Sequence, residues 1–524
     1  MSNNQNSIPE KSRLYYALQN ISTYIKGFFQ SMIASKFFKA IMIILIITLF
    51  LSRAYLQEYV LILREFSFSI CMFLFVIGIS ILFAKKDVKK RLWSIPIILF
   101  LSTVSFVYLG GQQYVALYLK YESLNKVELQ ELPVSNKFMP QPLNSIHVLS
   151  KQKVTETEEV AKPDRVLFGN NLNWTMEITP DYWFGKYGER VNELYVLSGT
   201  TPSPNFSKRE KVCFNVGEGL VLGANSYNAA IKSLNPWEYL SYFPVNVRYM
   251  SNDEGKLVQV ISLAKWEGIF FPTIGFGGVI VVDQNCDETT GQAFTRTIIG
   301  TGKHIEAKDI VNHNFLKQQN LIPYNVYRYW GSSFRYQAGF FGPLKAHHKG
   351  DIRIPDMPDD QNEQPFVLYF DEMGSEKSSG LFATFALEPF KKNSQGLAIS
   401  LFVPGDSINT VYYYHHSDKQ EGYTGSTAVA SKVKDKKKEY KWGDTVRVIE
   451  SKTYIRNIAG KRRLYYASVI AVVDKHGNMA GSEPEIAITD AQYNTVTFVD
   501  VTKNEDYWDK QIAENNAIMY AQEK

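Results

Sequence analysis

Three glycines within four residues, Gly275, Gly277 and Gly278, mark the most suggestive stretch of the chain, GIFFPTIGFGGVIVVDQNCDETTG. A phosphate-cradling loop sets such glycines between a strand and the first turn of a helix, where unpaired backbone N–H groups face the anion. Here Val279, Ile280, Val281 and Val282 follow, a β-branched and strand-like run, with no Lys-Ser or Lys-Thr pair. The residues therefore predict a tight turn or bulge before a buried strand rather than a nucleotide site. Cys286 lies in the same stretch, and Cys213 is the only other cysteine outside the apolar N-terminal region, which holds Cys71. In an oxidising compartment two such residues pair, and closing a loop of this size stabilises by roughly 3–4 kcal/mol in the chain-entropy description. The expectation is a structural disulfide, Cys213–Cys286; the alternative is two separate buried thiols. Neither cysteine has the histidine motif that a catalytic thiol needs.

The adjacent pairs His347–His348 and His415–His416 invite a metal. Neighbouring side chains on a strand point to opposite faces, so neither pair binds one ion alone. A site needs one histidine from each pair and an acid such as Asp418, and exposed loop histidines are the expected account. FVPGDSIN, residues 402–409, resembles the Gly-Asp-Ser block of SGNH-type hydrolases, which implies Ser407 as nucleophile. The later Asp-x-x-His block of that family is missing: Asp474-Lys475-His476 has the wrong spacing. A Pro-Gly-Asp-Ser turn between strands explains the same residues without chemistry. YNVYRYWGSSFRYQAGFFG, residues 324–342, interleaves Tyr, Trp and Arg as binding surfaces do. Alternating aromatics also suit a half-buried strand, the reading favoured here.

The elements that position these residues begin with three apolar runs. Residues 37–56, 66–84 and 92–111 each have the length and composition of a membrane span. The net charge of +5 sits beside them: residues 1–39 carry +4, and KKDVKKR (85–91) another +4, leaving about −3 for the rest. The basic excess is thus a membrane-topology signal, and a nucleic-acid partner loses its electrostatic support. By the positive-inside rule the tail and the KKDVKKR loop are cytoplasmic, so everything after residue 120 lies across the membrane. The expected location is the bacterial cytoplasmic (inner) membrane, multi-pass, with a cytoplasmic N-terminus. Acids are missing from the middle of each run, which speaks against a transport pathway within one chain.

Beyond the runs, residues 120–165 are polar and proline-punctuated, and are expected to be a linker or stalk. The pattern then becomes β-rich. Residues 247–266 read as a hairpin around Asn252-Asp253-Glu254-Gly255. The unit DEGKLVQVISL…GGVIVVDQNCDETTGQ resembles the strand pair of PepSY-like or cystatin-like modules in uncharacterised bacterial membrane proteins. That resemblance implies a fold and an envelope location, and no activity.

The expected fold class is membrane-anchored α+β: three N-terminal transmembrane helices followed by a large β-rich extracytoplasmic region of tandem modules. The expected parts are a cytoplasmic tail (1–36), a three-helix anchor (37–119), the linker (120–165), modules at 166–305, 306–420 and 421–505, and a C-terminal helix or tail (506–524). The expected function is a non-enzymatic integral membrane protein with an external binding or scaffolding region, serving an envelope process or assembly. Its partners are the membrane, envelope proteins and further copies of itself, with no nucleic acid, cofactor or metal. The alternatives are an extracytoplasmic hydrolase using Ser407 and a subunit of an oligomeric pore or transporter.

Overall fold

Residues 36–65 contain neither glycine nor proline and are rich in Ile and Leu, so nothing interrupts a helix there. In the computed structural model they form one helix, Lys36–Glu65. The structure describes residues 36–75 (without 69 and 73), 110–206, 208–287, 290–345, 350–357, 363–374, 378–390, 396–416, 422–443, 445–458, 460–473 and 484–522. Among these, one helical segment, Lys39–Glu65, is long and apolar enough to cross a membrane. Its 27 residues span about 40 Å, against a hydrocarbon core of about 30 Å. The first run was expected to end at residue 56 in a short loop; instead the helix continues, because RAYLQEYVLILRE is itself a good helix-forming sequence. Three transmembrane helices are therefore not established: the second expected span is described only to residue 75, and the third lies outside the described residues except for Gly110 and Gly111. The basic tail before residue 36 and the KKDVKKR loop also lie outside them.

The chain divides into two compact units, Met1–Leu56 and Gln57–Lys524. The second is α+β and holds four sheets. A five-stranded sheet comprises Glu158–Val160, Asp164–Phe168, Asn171–Pro180, Val191–Ser198 and Arg209–Phe214. A four-stranded meander follows, of Tyr242–Ser251, Leu257–Glu267, Thr273–Val282 and Lys303–Ile305. A second four-stranded meander runs through Val446–Ile458, Lys461–Val472, Glu485–Asp490 and Val496–Val499. Between them lies a seven-stranded sheet whose centre is Phe366–Met373, Ser378–Pro389, Ile399–Pro404 and Thr410–His415.

The edges of that large sheet come from the segment expected to be a stalk. Asn125–Glu128 pairs in parallel with Thr410–His415, and Ser135–Asn136 pairs with Tyr369 and Phe370 on the opposite side. The same segment adds a helix, Leu143–Lys151, whose Ile146 is fully buried. Strands of four and two residues are too short to show a period of two, which is why the stretch reads as a linker. The large sheet is buried on both faces, and side chains alternate between them. Phe382 and Phe402 pack towards the meander of 446–499, whereas the neighbouring Ala383 and Val403 join the core around the helix Tyr324–Ser333.

The hairpin at 247–266 forms as expected, with longer strands. The Asn252 carboxamide accepts from Glu254 N and Lys256 N, and Gly255 takes φ 77°. The glycine cluster lies inside the next strand, where the register slips between Phe276 and Gly278. Gly278 has φ 95°, and a Cβ there would stand 2.1 Å from the Ile305 carbonyl oxygen, so the bulge admits only glycine. The aromatic segment 324–342 is helical rather than a strand: Tyr327, Trp330 and Phe334 recur at helical spacing and are buried.

A second bulge, between Ile449 and Lys452, carries the most demanding residue of the fold. Glu450 has φ 47°, and its side chain is 1% exposed. The carboxylate meets Lys452 Nζ at 2.6 Å and Arg165 Nη2 at 3.8 Å, and it accepts from Leu143 N at 3.0 Å. Burial alone would raise this carboxyl; the two cations hold it below the usual carboxylate value. Glu450→Gln keeps the shape but leaves two buried cations without their shared counter-charge, which should cost about 3–5 kcal/mol. Urea unfolding of the full chain in detergent should show the lower midpoint, and an unchanged midpoint would mean that the triad contributes nothing net.

Candidate functional site

A cleft of about 650 Å³ opens where three of the four sheets meet, with the fourth supplying one wall residue. Lys162, Asp164 and Arg165 enter from the start of the five-stranded sheet, and Arg248 from the 242–251 strand. Tyr324 and Tyr327 come from the first turn of the 324–333 helix, Phe366 and Val367 from the large sheet, and Glu450 from its bulge. Both arginines are held by carboxylates, Arg165 by Glu450 and Arg248 by Asp164. Arg248 Nε stands 3.0 Å from Asp164 Oδ2, and its Nη1 donates to Ser262 Oγ. Tyr327 donates to Asn320 Oδ1 at 2.8 Å, and Tyr324 to the Gln364 carbonyl at 2.9 Å. The lining carries three cations (Lys162, Arg165, Arg248) against four acids (Asp164, Glu218, Glu363, Glu450).

Glu218 is the acid whose ionisation sets the balance. It lies in the loop after the 209–214 strand and accepts from Tyr227 O–H at 2.5 Å. Burial, joined by the carboxylates of Glu177 and Asp164, pushes its carboxyl up to about 7 against that hydrogen bond. Behind it Glu177 is fully buried, accepting from Gly219 N at 2.6 Å and from Tyr249 O–H, and Tyr249 accepts in turn from Gln259 Nε2 at 2.7 Å. With Glu218 protonated the lining is neutral overall; with it ionised the excess is one negative charge. Both arginines are already paired, so the cleft suits an overall neutral polar ligand better than a bare anion.

The residues singled out in the sequence lie elsewhere. Ser407 sits in a turn, where its Oγ accepts from Thr410 N at 2.8 Å. No histidine hydrogen-bonds to it among the described residues, and the carboxylate of Asp406 accepts from Gln318 N. A serine–histidine pair does occur, Ser400 Oγ to His416 Nε2 at 2.9 Å, but both residues are fully buried, where no substrate reaches. His415 faces the other way, against Tyr413, as strand alternation requires. His347, His348, Asp418 and Asp474-Lys475-His476 lie outside the described residues, and among those described no cluster of three metal-ligating side chains forms.

Cys213 and Cys286 are brought together. Asn285 N donates to the Cys213 carbonyl at 2.9 Å, and Cys213 N to Gln284 Oε1 at 3.1 Å. Arg190 donates to the Cys286 carbonyl and stands 3.7 Å from the Cys213 sulfur. Both are free thiols here, and the Cys213 side chain hydrogen-bonded to Cys286 raises the latter's thiol.

The cleft residues themselves escape sequence reasoning. Their signal is weak but real: Arg248 and Glu450 in the lining, and Glu177 behind it, are charges at inward positions of otherwise apolar strands, VNVRYM, VRVIESKTY and WTMEITP. No family model, no curated protein and no solved structure matches this chain, so the PepSY-like resemblance rests on its strand-pair residues alone.

Glu218 makes stability depend on pH with a definite sign. An unfolded glutamate titrates near 4.3, the folded one near 7, so between those values only the folded state holds the proton. Stability therefore falls as pH rises through that window. Glu218→Gln should match the parent at about pH 4 and exceed it at pH 8 by on the order of 1–3 kcal/mol. Thermal unfolding at the two pH values checks this, and equal differences at both would refute it.

Proposed function

We propose that this chain is a membrane-anchored, non-enzymatic binding or scaffolding protein of an envelope process, and that the cleft beside Arg248 and Tyr324 receives a peptide segment of a partner. The observation that carries the reading is the cleft lining: charges of both signs, with both arginines paired to carboxylates, beside the apolar walls of Ile322, Phe366 and Val367. A peptide offers both charge signs, backbone donors and acceptors, and apolar side chains to match such a lining. Among the described residues no base hydrogen-bonds to Ser407, whose hydroxyl instead accepts from Thr410 N, and this weakens the hydrolase alternative. A photo-crosslinking phenylalanine in place of Tyr324 should trap a protein adduct in cells. Asn144→Trp, which fills the cleft, should reduce that adduct at least tenfold, and an adduct that survives the filling would place binding elsewhere.

The location belongs to the same proposal: cytoplasmic membrane, multi-pass, basic tail inside, and the β-rich unit on the opposite side. It is supported by the apolar helix Lys39–Glu65 and by the position of the basic residues in the sequence. On that side Cys213 and Cys286 meet an oxidising environment, and the hydrogen bonds between their segments already hold them side by side. Peptide mapping without reduction of protein taken from cells should recover the Cys213–Cys286 disulfide. Quantitative alkylation of both thiols would reject the bridge and weaken the orientation with it.

A further inference from the structure

Six large apolar side chains stand exposed at one edge of the second unit, and the way the backbone is held there says what covers them. The reversal at residues 268–272 joins the strands Leu257–Glu267 and Thr273–Val282. Trp266 N donates to the Ser241 carbonyl at 2.8 Å, which brings the 236–241 segment to the same end of the meander. Trp237 and Leu240 are exposed on that segment, and Ile269 and Phe270 on the reversal; Trp237 is 83% accessible. The end of the apolar helix and the residues after it grip this edge. Gln57 Nε2 donates to the Tyr242 carbonyl at 2.8 Å and Arg64 Nη2 to the Gly268 carbonyl at 2.6 Å. Ser67 donates to the Ile269 carbonyl, and the rings of Phe68 and Phe271 stack at 4.9 Å. The helix Gly111–Ser123 continues the edge: Gln112 donates to the Glu65 carbonyl, and Tyr114 donates to the carbonyl of Phe340, beside which Phe341 and Leu344 are exposed.

We propose that this edge lies in the interfacial layer of the lipid bilayer, with Trp237, Leu240, Ile269, Phe270, Phe341 and Leu344 inserted among the headgroups and upper acyl chains. The proposal rests on the reading of Lys39–Glu65 as a membrane span. The occupant follows from continuity: Tyr59, Ile62 and Leu63 on the last turns of that helix are exposed too, on the segment whose Gln57 and Arg64 hold the edge. Trp and Phe beside cations such as Arg64, Lys265 and Lys345 are the composition of a membrane–water interface, where rings sit at headgroup depth and basic groups reach the phosphates. The rest of the unit points the other way. The Asn252–Gly255 turn lies at the opposite end of the same strands, about 30 Å off at roughly 3.3 Å per residue.

The test uses the full chain in liposomes of phosphatidylcholine and phosphatidylglycerol, its three native cysteines replaced by serine, with an environment-sensitive dye on Phe270→Cys or on Asp253→Cys. The dye at 270 should be quenched by lipids spin-labelled near the headgroup and be several-fold less open to iodide than the dye at 253. Iodide access equal at both positions overturns the proposal. Shielding from iodide without quenching by lipid also overturns it, since a protein would then cover the edge. Leu344→Cys repeats the measurement should the 270 variant not fold. Alkaline carbonate extraction separates the two failures: release of the chain from the liposomes defeats the membrane reading itself, whereas retention with a water-exposed 270 defeats only the inserted edge.

Discussion

The buried carboxylate of Glu450 is the constraint on which most of the second unit depends. It bridges Lys452, two residues along its own strand, to Arg165 of the five-stranded sheet, and receives the first N–H of the 143–151 helix. Lys452 extends the network by donating to the Met139 carbonyl at 3.1 Å. A charge in the interior is tolerated only when it is paired and hydrogen-bonded, so these four segments must meet in one geometry or not at all. The left-handed backbone at Glu450 is the local cost of aiming the carboxylate inward from a bulge.

The same network explains why the cleft stays open. Apolar walls alone would close on one another, whereas Arg165, Glu450, Asp164 and Arg248 are fixed by partners and line a space of about 650 Å³. Behind the wall, the Glu177–Tyr249–Gln259 chain joins the five-stranded sheet to the first meander by hydrogen bonds buried from water. Burial raises the Glu218 carboxyl in the lining to about 7, so the cleft's net charge changes with that proton.

The large sheet acts as the shared wall of several cores. One face joins the 324–333 helix and the 242–305 meander, and the other joins the 446–499 meander and the helix Ser426–Lys436. Because its two edge strands come from residues 125–136, its completion requires chain segments nearly three hundred residues apart: Asn125 lies opposite Thr410. Residues 57–524 form one compact unit. This arrangement makes the fold slow to assemble by the loop-closure argument, since its defining contacts are among the least local.

The sequence by itself determined what depends on neighbours along the chain. Isoleucine and leucine without a helix breaker specify an apolar helix over 37–56, Asn252 to Gly255 specify a hairpin, and the glycines at 275–278 specify a bulge. Strand alternation alone separates His415 from His416. Only the tertiary structure decided what depends on partners remote in sequence. The four residues 125–128 become a strand because Thr410–His415 offers an unpaired edge. The aromatics of 324–334 are a helix because three of them, at helical spacing, fill one core. Arg165, Arg248 and Glu450 become a site because burial forces each charge to find its counterpart. Short-range periodicity is written in the order of residues, but the pairing of buried charges exists only once the sheets have met.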